Sequence, residues 1–254
     1  MKIINRFIPI LSSFLIFFLI EIVFALPKQF YWAIILCLVI VFLGIYQLMD
    51  YNFKSGKFWR NVLTPVLFLS SCFIFLIFAE GNFLKHIFLG CFVALIWVFL
   101  ETIFVQYHFR PKYQVHSLEN ISVNINLLTV FLMTSGFFSL IIFLGLSLWP
   151  FLAAFALISL FLTHQIVWAS DHTIKTGWRH IVITALLATE VFWVVSFLPV
   201  SVYVSGLVVT ISYYLITGLS RNWLLGIKEK KVVIRYLAIG VVSLIIILAT
   251  AKWF

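Results

Sequence analysis

Nine stretches of this chain are almost wholly apolar, each about as long as a bilayer is thick, and no other feature restricts its fold so strongly. A helix rises about 1.5 Å per residue, so about 20 apolar residues match the roughly 30 Å hydrocarbon core of a membrane. The stretches are 7–26, 30–49, 61–79, 84–106, 124–145, 149–168, 180–198, 201–219 and 234–251. Two boundaries rest on proline and length. The runs 124–168 and 180–219 are each too long for one span, and Leu148-Trp149-Pro150 and Leu198-Pro199-Val200 divide them. Proline lacks an N–H and ends or kinks a helix, so each run reads as a tight helical hairpin. The expected fold class is therefore all-α: a polytopic membrane protein of about nine transmembrane helices in one membrane domain, 1–254.

Orientation follows from where the basic residues fall. With the N-terminus in the cytoplasm, the internal segments carry Lys2, Arg6, Lys54, Lys57, Arg60, Arg110, Lys112, Lys175, Arg179, Arg221, Lys228, Lys230, Lys231 and Arg235. The external segments carry only Lys28, Lys85 and Lys252. Short loops rich in Lys and Arg stay inside, so the N-terminus is expected in the cytoplasm and the C-terminus outside. Trp59, Trp168, Trp178, Trp223 and Trp253 fall near the expected boundaries, as interfacial tryptophans do. The longest loop, about 107–123, is too short for a soluble domain. The expected location is a cell membrane, plasma or inner, with anionic lipids against the basic cytoplasmic loops.

Composition excludes the other broad classes. Hydrophobic residues make up 64% and charged residues 10%, against about 45–50% and about 25% in soluble domains. The net charge of +9 would suggest nucleic acid in a soluble protein. Here the positive residues lie between apolar runs, so no nucleic-acid partner is expected. Cys37, Cys72 and Cys91 lie singly inside apolar runs, which argues against a disulfide framework or a zinc knuckle. The 29 phenylalanines are scattered evenly and read as lipid-facing bulk. Lys2 and Arg6 before an apolar stretch resemble a secretory signal, with Val23-Phe24-Ala25 as a cleavage-like site. That stretch exceeds the roughly 7–15 residues of a signal core, so a retained first helix is expected.

The chain also hints at duplication. Slid by 118 to 119 residues, Arg6 meets Asn124, Tyr46-Gln47 meets His164-Gln165, Trp59-Arg60 meets Trp178-Arg179, and Glu80 meets Pro199. Four spans per unit is an even number, so 1–118 and 119–237 would form a parallel repeat, with 234–251 as an added helix.

Ionisable residues inside apolar spans carry the functional expectations, because each costs roughly 2.5–3.5 kcal/mol to insert. Glu190 is the deepest, near the middle of 180–198. It suits a proton- or cation-handling carboxylate, or a protonated acid bonded between helices. His164, with Gln165 beside it, and Glu101 lie closer to the cytoplasmic ends of their spans. Glu190, His164, Gln165 and Glu101 are the candidate substrate- or ion-binding residues. Glu190 and His164 are expected to face the interior along one polar path. Glu21, Glu80, Asp50 and Asp171 read as solvated boundary residues.

His164, Asp171, His172 and His180 span several depths, so no metal site and no cofactor is expected. Catalytic residues are not assigned, because HExxH, GxSxG, P-loop and aspartate-rich diphosphate motifs are missing from the sequence. Ser135-Gly136 and Ser205-Gly206 read as small residues at close helix crossings. Three functions compete. The first is a small-solute or ion transporter. The second is a non-catalytic membrane subunit, assembled with a protein partner or with itself. The third is an enzyme on a lipid-linked substrate, using Glu101, His108, Arg110, His164, Asp171, His172, Arg179 and His180 at the cytoplasmic face.

Overall fold

The computed structural model describes residues 2–51, 53, 55–109, 117–169, 174–224, 226 and 230–253. They form α1 (Lys2–Ala25), α2 (Phe30–Leu48), α3 (Gly56–Phe78), α4 (Asn82–His108), α5 (Ser117–Leu144), α6 (Leu148–Ala169), α7 (Ile174–Val195), α8 (Val202–Leu224) and α9 (Lys230–Thr250). A 3-10 helix, Pro27–Gln29, joins α1 to α2. Among the described residues, nine helices are long and apolar enough to cross a membrane. Among the described residues the fold is all-helical and compatible with an integral membrane protein of the multi-pass kind. The chain divides into two compact units, Met1–Asn126 and Leu127–Phe254, with the boundary inside α5.

Several helices outrun the apolar stretches that announce them. The helix expected from residue 61 starts at Gly56, because Ser55 caps it by accepting a bond from the Lys57 N–H at 3.2 Å. The expected loop 107–123 is shorter than predicted, since α4 continues to His108 and α5 begins at Ser117. Hydropathy detects the apolar part of a helix and is blind to its polar ends. In the other direction, α7 stops at Val195, three residues early. Pro199 disfavours helical geometry at Leu198, and the N–H groups of Phe197 and Leu198 bond three residues back, to Val194 and Val195. Pro150 sits in the first turn of α6, where its missing N–H costs nothing. Pro65 stays within α3.

In the first unit, α1 packs against α2 and α4, α2 against α3, and α3 against α4, a four-helix arrangement of sequential neighbours. Ile16, Ile20, Val41, Ile45, Phe68, Leu89 and Phe99 fill its core. Gly44 permits a close crossing of α1 and α2. A Cβ there would lie 3.1 Å from Ser12 Oγ.

In the second unit, α6 packs on α7, α7 on α8 and α8 on α9. Phe192 stacks between Phe138 and Phe155, with centroid distances of 4.7 and 4.9 Å. The α8–α9 contact rests on glycine. A Cβ on Gly218 would meet the Tyr236 ring, and one on Gly240 would meet Leu215. The expectation that phenylalanine is lipid-facing bulk fails for a whole class of positions. Phe58, Phe68, Phe99, Phe155 and Phe192 are fully buried, because in lipid the interior is defined by shape and dispersion rather than by escape from water.

Candidate functional site

Two hairpin connections build a candidate site at one end of the first unit. Leu26 cannot continue α1 comfortably because Pro27 follows it, and its backbone is extended, at φ −132° and ψ 79°. The Leu26 N–H still closes the last turn on Ile22 O at 2.7 Å, and Gln29 N–H bonds Leu26 O at 3.0 Å. This three-residue turn sets the end of α1 opposite the start of α2. Between α3 and α4, Ala79 is extended and Gly81 takes φ +81°, a conformation that L side chains rarely adopt. Gly81 O then receives the Lys85 N–H at 3.1 Å, which starts α4. Asn82, Lys85 and His86 follow at positions i, i+3 and i+4, and so share one helix face.

A cleft of about 750 Å³ opens between these elements. Its apolar lining, from three helices, includes Ile20, Val23, Phe24, Phe30, Phe73, Leu76 and Ile77; its polar lining includes Glu21, Tyr31, Asn82, Lys85 and His86. His86 Nδ1 donates to Glu21 Oε1 at 2.8 Å. An ionised carboxylate only accepts, so in this bond the ring presents an N–H at Nδ1. The Glu21 side chain is 27% exposed and that of His86 50%, so both are reachable. The Phe24 ring meets His86 edge-on at 5.5 Å, and Phe30 meets Phe73 edge-on at 5.9 Å. An apolar hollow of this size with a few convergent polar groups is the usual form of a small-molecule site.

The residues singled out from sequence lie elsewhere. Glu190 is exposed, on an outward face of α7 with Leu186, Leu187, Trp193 and Val194. The interior orientation expected of it is not found. It also stands five residues before the end of α7 at Val195, about 7.5 Å along the axis, rather than near mid-helix. The early stop of α7 moved that end. Gln165 is buried in α6, with His164 beside it half-buried, and Glu101 is half-buried in α4.

Of the cytoplasmic-face set, His108 lies in the first unit. Its side chain is 6% exposed, 3.0 Å from Asn5 Nδ2 and 3.9 Å from Asp50 Oδ1. His180 packs on Trp223 at 4.4 Å, and Arg179 lies over Trp178 at 5.9 Å. Arg110, Asp171 and His172 fall outside the described residues. Among the described residues no group of three His, Cys, Asp or Glu is placed to hold a metal ion.

Four buried hydroxyls in the second unit serve their own helices, while Thr184 of α7 donates to Ser220 Oγ of α8 at 3.3 Å. Thr134, Ser139, Thr210 and Thr217 donate to carbonyls four residues back at 2.7–2.8 Å, a common way to seat a polar side chain in an apolar span. Tyr213, buried in α8, faces Thr163 of α6.

Sequence reasoning missed the cleft because Glu21 and His86 are 65 residues apart and each sits at an unremarkable span end. The available signal was the pairing of their span ends: spans one and three end on the same side where spans two and four begin. Comparison with known proteins gives no family: no family model matches the chain, and no curated protein or solved structure matches it.

Proposed function

We propose that this chain is a multi-pass carrier that admits a small amphiphilic solute through the cleft of α1–α4. The cleft itself carries the reading: about 750 Å³ of mostly apolar hollow, with a carboxylate–imidazole pair and an ammonium at its polar side. By the distribution of Lys and Arg, this end of the unit faces outward, since Lys28 and Lys85 belong to the sparse external set. Transport thus rests on Glu21, Lys85 and His86 rather than on the Glu190 path. The duplication belongs with this reading. The neighbours α2–α3, α3–α4 and α2–α4 of the first unit correspond, four helices on, to α6–α7, α7–α8 and α6–α8 of the second.

The test is movement of a short-chain fluorescent amphiphile across proteoliposome membranes. The chain should accelerate it, and Ile77→Trp, which fills the cleft, should remove most of the acceleration. Vesicles containing the parent protein that behave like protein-free vesicles would end the proposal. A second reading, a non-catalytic subunit of a larger membrane assembly, is favoured by Glu190 standing exposed on an apolar face, where lipid gives a carboxylate no partner.

A further inference from the structure

The cleft is lined by one acidic and one strongly basic side chain, with an imidazole bonded to the acid, and this limits what it can hold. Glu21 and Lys85 both line it, with His86 bonded to Glu21 and Asn82 adding a carboxamide. A purely anionic headgroup would face the Glu21 carboxylate, and a purely cationic one the Lys85 ammonium. A neutral one would strip water from both charges without compensating either. Each of the two charged side chains stands near an end of its own helix. Glu21 lies near the C-terminal end of α1, the negative end of its dipole. Lys85 stands in the opening turns of α4, whose N-terminus has no side-chain cap and presents the positive end. Phe24, Phe30 and Tyr31 line the same hollow, and aromatic rings attract alkylammonium groups. The rest of the wall is apolar and suits a hydrocarbon body.

Resting on the cleft as the solute site, we infer that its ligand is a zwitterion with an apolar body: an ammonium held by Glu21 and the aromatic rings, and an anionic group held by Lys85. Two sources share this chemistry, a single-chain or bilayer lipid with an ammonium-and-phosphate headgroup, and a soluble apolar amino acid.

The experiment uses the purified full chain in an uncharged detergent. Native mass spectrometry would follow binding of dodecylphosphocholine, dodecyl phosphate and dodecyltrimethylammonium, three probes with one chain and different heads. Dodecylphosphocholine should bind at least tenfold more tightly than either singly charged probe. Lys85→Gln should move the preference towards dodecyltrimethylammonium, and Glu21→Gln towards dodecyl phosphate. These opposite shifts cannot arise from general misfolding. Displacement by free leucine at matched concentration would identify a soluble zwitterion, and resistance to leucine a lipid; either supports the inference. Equal binding of the three probes, all lost in Ile77→Trp, would overturn the zwitterion while leaving the cleft as a solute site. No binding of any probe would overturn both.

Discussion

Gly206 and Ser135 show how tightly single positions in the second unit are set. A Cβ on Gly206 would meet Ser135 Oγ and approach the Ser135 backbone nitrogen to 3.2 Å. A helical glycine normally gains about 1 kcal/mol on becoming alanine. Here the overlap is chiefly with the Ser135 side chain, Oγ and then Cβ at 3.2 Å, which is too short to swing clear of the crossing, so Gly206→Ala should instead cost about 1–3 kcal/mol. Pairing it with Ser135→Gly should recover most of that loss. A four-way thermal unfolding cycle in detergent measures this, and a Gly206→Ala protein more stable than its parent would contradict the packing. Ser205-Gly206 and Ser135-Gly136 announce close crossings in the sequence, but not which meets which.

Glu190 is the opposite case. Because it is exposed among apolar residues, Glu190→Leu should not lower monomer stability, and removing a carboxylate that lipid leaves without a partner should raise it, by at most about 3 kcal/mol. If α7 docks on a partner through this carboxylate, the same variant should lower the mass of the assembly in nanodiscs. Unchanged mass removes the subunit reading's support. The Glu21–His86 pair is partly exposed and should add less than about 1 kcal/mol to stability.

At the scale of elements, the connections decide where the site forms. Gly81 holds φ +81° between α3 and α4 and directs the Lys85–His86 face at the cleft. A Cβ there has room, with only Leu84 Cδ1 at 3.9 Å, so the cost of substitution is backbone strain alone. Gly81→Ala should therefore lower stability by about 1–3 kcal/mol. It should weaken amphiphile binding beyond that, because the first turn of α4 must re-aim. Isothermal titration beside thermal unfolding separates the two effects. A variant with parental affinity would show that the turn does not position the site.

The element pattern itself was largely legible. All nine apolar runs appear as helices; Leu198-Pro199-Val200 falls in the α7–α8 connection, while Leu148-Trp149-Pro150 forms the first turn of α6, just after the chain turns at 145–147. What misled was the extent of each helix. The Ser55 cap and the 3-10 turn before Pro199 depend on hydrogen bonds that hydropathy does not register. The second of these moved Glu190 from the middle of its span towards an end.

For the whole molecule, the topology is the testable consequence. In the second unit Val200, in the α7–α8 turn, forms an antiparallel bridge with Trp253 near the C-terminus. The two must therefore lie at the same end of the unit. Reporter fusions after Val200 and after Phe254 should give the same external readout, and one after Gly226 the opposite. A cytoplasmic readout at the C-terminus alone would contradict both the bridge and the alternation of basic residues. Trp59, Trp178, Trp223 and Trp253 are exposed, as interfacial residues should be.

The sequence alone determined the all-helical class of this protein, the number of helices, among the described residues, long and apolar enough to span a membrane, and the sidedness expected of its loops. These are additive properties: apolar length, proline position and positive charge act locally and can be read one segment at a time. The inward or outward facing of a polar residue within a span is not additive. It depends on which neighbour covers that face, and α7 leaves the Glu190 face uncovered while α4 carries His86 to Glu21. Only the packing of helices distant in sequence could turn four ordinary boundary residues into the lining of one cleft and move the best sequence candidate to the outside.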